Sequence, residues 1–231
     1  MKKMILSLCV LAALTISCKV HNKDSNRLNK NELRLKITNE LETILLKDQG
    51  IRELLNNSIT PERKEQLVTE MKITAIDLEG SKKYNLMKEI DSTNLKTVES
   101  IIAENGYPSK LIEGEKANKA VFYVLQHSQK IDQYLPLIRK AVKNGNLTKV
   151  SLALMEDRNL MYKGIEQLYG TQIKGKANKK GEWIYFIWPI KNAEFVNIRR
   201  KKAGFKQTIE EYTKEMDVEF KLYKLNEIDE L

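Results

Sequence analysis

The chain has 231 residues, with 40 Lys and Arg against 31 Asp and Glu, and a formal net charge of +9. Its two cysteines and two histidines exclude a framework of several disulfides and a histidine-rich metal site. Length and an apolar share of 42% suit one domain with an ordinary core.

The first eighteen residues read as an export signal. Lys2 and Lys3 precede an apolar run from Met4 to Ile16, broken by Ser7 and Thr15 and too short to span a bilayer. The run ends at Leu14-Thr15-Ile16-Ser17-Cys18, which resembles the bacterial lipobox. That resemblance implies cleavage of residues 1–17, acylation of Cys18, and attachment to a bacterial membrane facing the periplasm or the cell exterior. Cys9 leaves with the signal and Cys18 carries lipid, so no thiol remains in the domain. Cleavage removes Lys2 and Lys3 and no acid, and the mature chain stays basic. An exported lipoprotein seldom meets nucleic acid, which is not expected as a partner. Phospholipid headgroups, lipopolysaccharide or an acidic envelope partner are the candidates, beside the plain reading that the charge serves solubility. Residues 18–30 are polar and are expected to form a flexible tether before a single domain over residues 31–231.

After the tether the pattern is helical. Leu33, Ile37, Leu41, Ile44, Leu45, Ile51, Leu54 and Leu55 form one apolar stripe. Thr60-Pro61-Glu62 is a helix start with Thr60 as N-cap. A third helix is expected from Asp91 or Ser92 to Gly106, with Pro108 beyond it. Helices follow over Glu115 to His127, Asp132 to Lys143, and Thr148 to Lys163 with Gly164 as the stop. Leu168 to Lys174 and Glu182 to Ile190 then read as two strands joined by a turn. Trp183 to Trp188 is expected to be buried as core. Short helices return over Glu194 to Ala203 and Thr208 to Met216, and Val218 to Lys224 reads as a third strand or a loose tail. The fold class is mainly α, a helical domain with a small β-hairpin near the C-terminal third.

No Walker loop, G-x-G-x-x-G, G-x-S-x-G or EF-hand loop is present, and no cofactor or metal is implied. What remains is a set of polar residues in segments otherwise built for packing. These are Asp48, Gln49 and Arg52; Gln126 and His127; Asp157 and Arg158; Gln167, Tyr169, Thr171 and Gln172; and Asn197, Arg199 and Arg200.

Their order, as Asp48-Gln49-Gly50-Ile51-Arg52, Gly106-Tyr107-Pro108, Gln126-His127, Asp157-Arg158, Gln167-Leu168-Tyr169-Gly170-Thr171-Gln172 and Val196-Asn197-Ile198-Arg199-Arg200 with Gly204, resembles a bacterial family sharing a domain of unknown function. The resemblance covers about Leu41 to Tyr212 and implies a fold and boundaries but no reaction.

Each group keeps two readings. His127 could be a general acid or base, or a hydrogen-bonded structural residue. Asp157 and Arg158 could be a catalytic carboxylate and an anion clamp, or ion-pair partners of Arg52 and Asp48. Tyr169 to Gln172 could bind ligand or form a turn, and Arg199 to Lys202 could hold an anion or face water. A binding or structural envelope module is the first expectation. A hydrolase using His127 and Asp157 with an arginine clamp is the alternative, and a basic surface for acidic lipid or an envelope protein is the third. All versions expect the polar groups to gather around His127.

Overall fold

Helix α1 runs from Cys9 to Leu54 in the computed structural model, which describes residues 9–56, 58–109 and 114–230, with side chains from residue 29 onward. No proline or glycine precedes Gly50, so nothing interrupts the backbone ladder once it has formed. The helix therefore continues through residues 18–30, where an irregular tether was expected; the polar composition there removes apolar partners but breaks no hydrogen bond. Residues 1–8 of the expected signal and the side chain of Cys18 lie outside the described residues.

Helix α2, Pro61–Met71, starts as its cap predicts, with Thr60 Oγ1 accepting from the Arg63 N–H at 3.3 Å. Its Leu67 and Met71 pack with Ile51 and Leu54 of α1. Gly50 is what lets them approach, because a Cβ there would lie 2.6 Å from Met71 Sδ. Helix α3, Lys82–Asn105, begins well before the expected Asp91. Charged residues from Lys82 to Glu89 dilute the apolar signal, yet Leu86, Met87 and Ile90 pack against the Ile51–Leu67 cluster and carry the helix back. Gly106, at φ 74°, ends it as expected.

Helix α4, Gly114–His127, lies against α1, and its Ala117, Ala120 and Val121 leave room for that close approach. Helices α5, Ile131–Lys143, and α6, Lys149–Tyr162, complete the main core around Leu41, Ile44, Val98, Leu125, Ile138 and Met155. Thr148 caps α6 by accepting from the Ser151 N–H at 3.0 Å.

Strands β1, Ile173–Ala177, and β2, Trp183–Ile187, pair antiparallel with Gly175 opposite Tyr185. Strand β1 starts later than expected because Leu168, Tyr169, Thr171 and Gln172 give their N–H groups to side chains instead. The run from Trp183 to Trp188 is core only at its far end. Phe186, Ile187 and Trp188 are buried, whereas Trp183 is 64% and Tyr185 61% exposed, because the outer half of the hairpin projects beyond the helices that cover the inner half. Helices α7, Val196–Ala203, and α8, Ile209–Glu215, close the hairpin's inner end through Val196 and Ile209. Residues 218–224 form neither strand nor helix, though Tyr223 packs edge-on against Phe186 at 5.9 Å. The fold is mainly helical with one antiparallel hairpin. Among the described residues no helix is long and apolar enough to cross a membrane.

Candidate functional site

Asp48 occupies a core position of α1, between Ile44 and Ile51, and is fully buried. A carboxylate there must be hydrogen-bonded or it would cost several kcal/mol. Its Oδ2 accepts from Gln49 Nε2 at 2.7 Å, and its Oδ1 faces Arg52 Nη1 at 3.2 Å and His127 Nδ1 at 3.1 Å. Burial pushes the Asp48 carboxyl upward, but His127, Arg52 and Gln49 outweigh it and hold the group below the usual carboxylate range. Arg52 also donates through Nη2 to both oxygens of Asp91 on α3, at 2.9 and 3.0 Å.

His127 ends α4 and stacks on Tyr123, with ring centroids 6.3 Å apart. Burial pushes its imidazole below the ordinary value; Arg52 and Arg158 add to this, and Asp48 opposes it. The ring is thus neutral near pH 7. An ionised Asp48 can only accept, so the proton sits on Nδ1 and the Nε2 lone pair is left open. Nε2 has no hydrogen-bond partner among the described residues, and the side chain keeps 13% of its surface in contact with solvent.

Arg158 projects from α6 toward the same region, near enough that its charge depresses His127. Its Nε donates to Gln172 Oε1 at 3.1 Å, and Gln172 is itself held by donating to Thr171 Oγ1 at 2.9 Å. Burial pulls the guanidinium pKa down, and the charge of Arg52 works in the same direction. The terminal nitrogens Nη1 and Nη2 have no hydrogen-bond partner among the described residues.

Asp157, the next residue along α6, does something else. It is fully buried, and its two oxygens take the N–H groups of Leu168, Tyr169 and Thr171 and the Thr171 hydroxyl, at 2.7 to 3.1 Å. Burial pushes this carboxyl up, and the ring of donors pulls back. Every donor needs an acceptor, so the group is a carboxylate with no capacity left for chemistry. The expected ion pair with Arg52 does not form, nor does Arg158 bridge to Asp48; Arg52 uses Asp91 instead.

The remaining residues brace this loop. Gln167 donates through Nε2 to the carbonyls of Gln172 and Trp188 and accepts the Gln172 N–H. Gly170, at φ 71°, passes so near Ile209 that a Cβ would meet its Cδ1 at 2.5 Å. Arg199 donates to the carbonyls of Leu168, Lys191 and Asn192. Arg200 is 2% exposed, donates to the carbonyls of Gln207 and Tyr169, and lies over the rings of Phe205 and Tyr212. Neither an anion site nor a solvated face describes that arginine pair. Asn197 accepts the Ile209 N–H and donates to Glu210, tying α7 to α8. Tyr169 contributes its backbone, with its ring 6.2 Å from Phe205. Gln126 is buried, and its side chain makes no hydrogen bond among the described residues.

The chain matches a family of unknown function, DUF6624, over residues 51–224. It belongs to that family. The DUF6624 match starts just past Asp48 and Gln49 and runs beyond Tyr212, later at both ends than the motifs suggested, and it takes in Arg52, His127, Arg158 and Gln172. No curated protein and no solved structure matches the chain.

Sequence reasoning missed Asp91 and Tyr123. Asp91 was read as a helix start, and nothing in its local sequence marks it as the partner of Arg52, 39 residues away. Gln49 and Tyr123 also line an open groove of about 740 Å³. The cations on its rim, Arg63, Lys116 and Lys119, face Glu53, Glu42 and Glu115. Among the described residues no group of three or more His, Cys, Asp or Glu could hold a metal ion.

Proposed function

We propose that this DUF6624 protein is a cell-envelope lipoprotein, anchored through acylated Cys18, whose domain binds a small anionic group between Arg158 and His127. One observation carries the binding site: a half-buried guanidinium that spends Nε on Gln172 and leaves Nη1 and Nη2 facing solvent without a protein acceptor. A network serving only stability would pair that charge, as Asp48 and Asp91 pair Arg52. The two terminal nitrogens form a planar fork suited to a phosphate or carboxylate. Neutral His127 offers Nε2 as an acceptor, which matches the hydroxyl of a hydrogen phosphate group. Gln172, fixed by Thr171, sets the angle of the fork.

Calorimetric titration with inorganic phosphate tests this, against chloride at equal ionic strength. Binding is expected for the wild type and lost in Arg158→Gln. Equal phosphate affinity in Arg158→Gln and wild type would overturn the site. The anchor is tested separately by metabolic labelling with a fatty-acid probe, which Cys18→Ala should abolish.

A second reading, hydrolysis, is favoured by the Asp48 contact at His127 Nδ1, the geometry that orients a histidine base. In it Asp48 takes the place expected for Asp157. Turnover of a phosphate or carboxylate ester that disappears in His127→Gln while phosphate still binds would select this reading.

A further inference from the structure

We infer that the outer end of the β1–β2 hairpin is a docking tip for an anionic phospholipid surface. Trp183 and Tyr185 stand two apart on β2, hence on one face, and both are mostly in solvent. They form an edge-on pair, with ring centroids 6.4 Å apart and planes at 77°. Gly175, opposite Tyr185 on β1, is the floor beneath them: a Cβ there would lie 2.8 Å from Trp183 Nε1 and 2.9 Å from Tyr185 Cε1. A larger residue at 175 would push the rings apart, so the glycine serves the pair.

The tip is held in shape. Asn178 Oδ1 accepts the N–H groups of Lys180 and Glu182, and its carbonyl accepts that of Gly181. Lys179 and Lys180 are exposed in the turn at the tip, while Lys174 lies over the Trp188 ring on the other face and Lys176 donates to the Ile228 carbonyl. The one acid of the hairpin, Glu182, accepts from Asn178. Cations therefore outnumber acids at the tip, and amphipathic aromatics accompany them, the combination that settles at a lipid headgroup layer. The charge is what selects lipid of negative sign. Rings at 77° give no flat platform for stacking a sugar, which argues against a glycan at the same place.

The inference does not rest on the anchor or on the Arg158 site, and its test keeps them apart. Full-length protein is mixed with phosphatidylcholine vesicles, with or without phosphatidylglycerol, carrying brominated acyl chains. Trp183 emission should shift to the blue and be quenched in the anionic vesicles alone, and this change should vanish in Trp183→Phe, where only buried Trp188 remains. Lys179→Glu with Lys180→Glu should reduce the quenching severalfold, and circular dichroism should show both variants folded. Cys18→Ala should keep the effect. Quenching that is the same in Trp183→Phe, or the same in neutral vesicles, would overturn the inference. So would a blue shift that appears without vesicles as protein concentration rises, since a second copy would then be the occupant.

Discussion

Replacing Asp157 by alanine should be among the costliest single changes in this domain. The carboxylate is the acceptor for three backbone N–H groups and one hydroxyl, all on the loop between α6 and β1. A hydrogen bond to a charged acceptor contributes about 1.5–3 kcal/mol, and a stranded buried donor costs about 1–3 kcal/mol. The loop would open enough for water to reach some of these groups, so a simple sum overstates the loss. About 4 kcal/mol is the expected destabilisation. For a domain of this size that lowers the melting temperature by roughly 8–16 °C. Asp157→Asn keeps one acceptor oxygen but turns an N–H2 toward donors, and should fall about halfway. Urea unfolding followed by circular dichroism measures both. A loss below about 1 kcal/mol for Asp157→Ala would mean that water replaces the carboxylate easily, and the reasoning would fail.

Arg52→Ala leaves Asp48 with Gln49 and His127 alone; it should cost about 3 kcal/mol and raise the His127 pKa, because the Arg52 charge depresses it. An NMR titration of the imidazole reads the second effect, and a pKa that stays put would refute the coupling. Gly170→Ala combines a positive φ with contact against Ile209, and should lose about 2–3 kcal/mol in the same urea assay; an unchanged midpoint would show that Ile209 yields freely. Acid should weaken the fold in two stages. His127 and Asp48 both titrate lower in the folded protein than their ordinary values of 6.5 and 3.8, so the unfolded chain takes up each proton first. The contribution of each is complete above its ordinary value and is lost as the pH falls through the folded one. Urea midpoints between about pH 7.5 and pH 5 should drop in the wild type and stay level in His127→Gln.

Helix ends were the most legible part of the fold. Thr60-Pro61, Gly106 and Thr148 each act at the predicted place, because caps depend on a few neighbouring residues. Helix α3 was cut short because its first turns are charged and are held by tertiary contact with α1 and α2. Strand β1 was drawn too early because residues 168–172 have strand-like composition but spend amides on the side chains of Asp157, on α6, and of Gln167. For the site, polar residues in segments built for packing singled out Asp48, Arg52 and His127, which are joined by hydrogen bonds, whereas Asp157 is spent on the following loop. Their partners were not legible. The rule that buried charges pair suggested Arg52 as the partner of Asp157, whereas three amides brought in by the following loop take both oxygens. The exposed end of the Trp183 run could not be read either, since it depends on how far the hairpin reaches beyond the helices.

The loop pinned by Asp157 has a consequence for dynamics. The backbone from Leu168 to Gln172 belongs to no helix or strand, and such segments usually exchange their amide hydrogens quickly. Here the N–H groups of Leu168, Tyr169, Thr171 and Gln172 are each held by a side chain of Asp157 or Gln167. They should exchange as slowly as the interior of α6, opening only when the hairpin and the helix part together. Gln172 and the Arg158 fork it steers therefore stand on a frame that is already ordered, and a ligand arriving there would forfeit little conformational entropy.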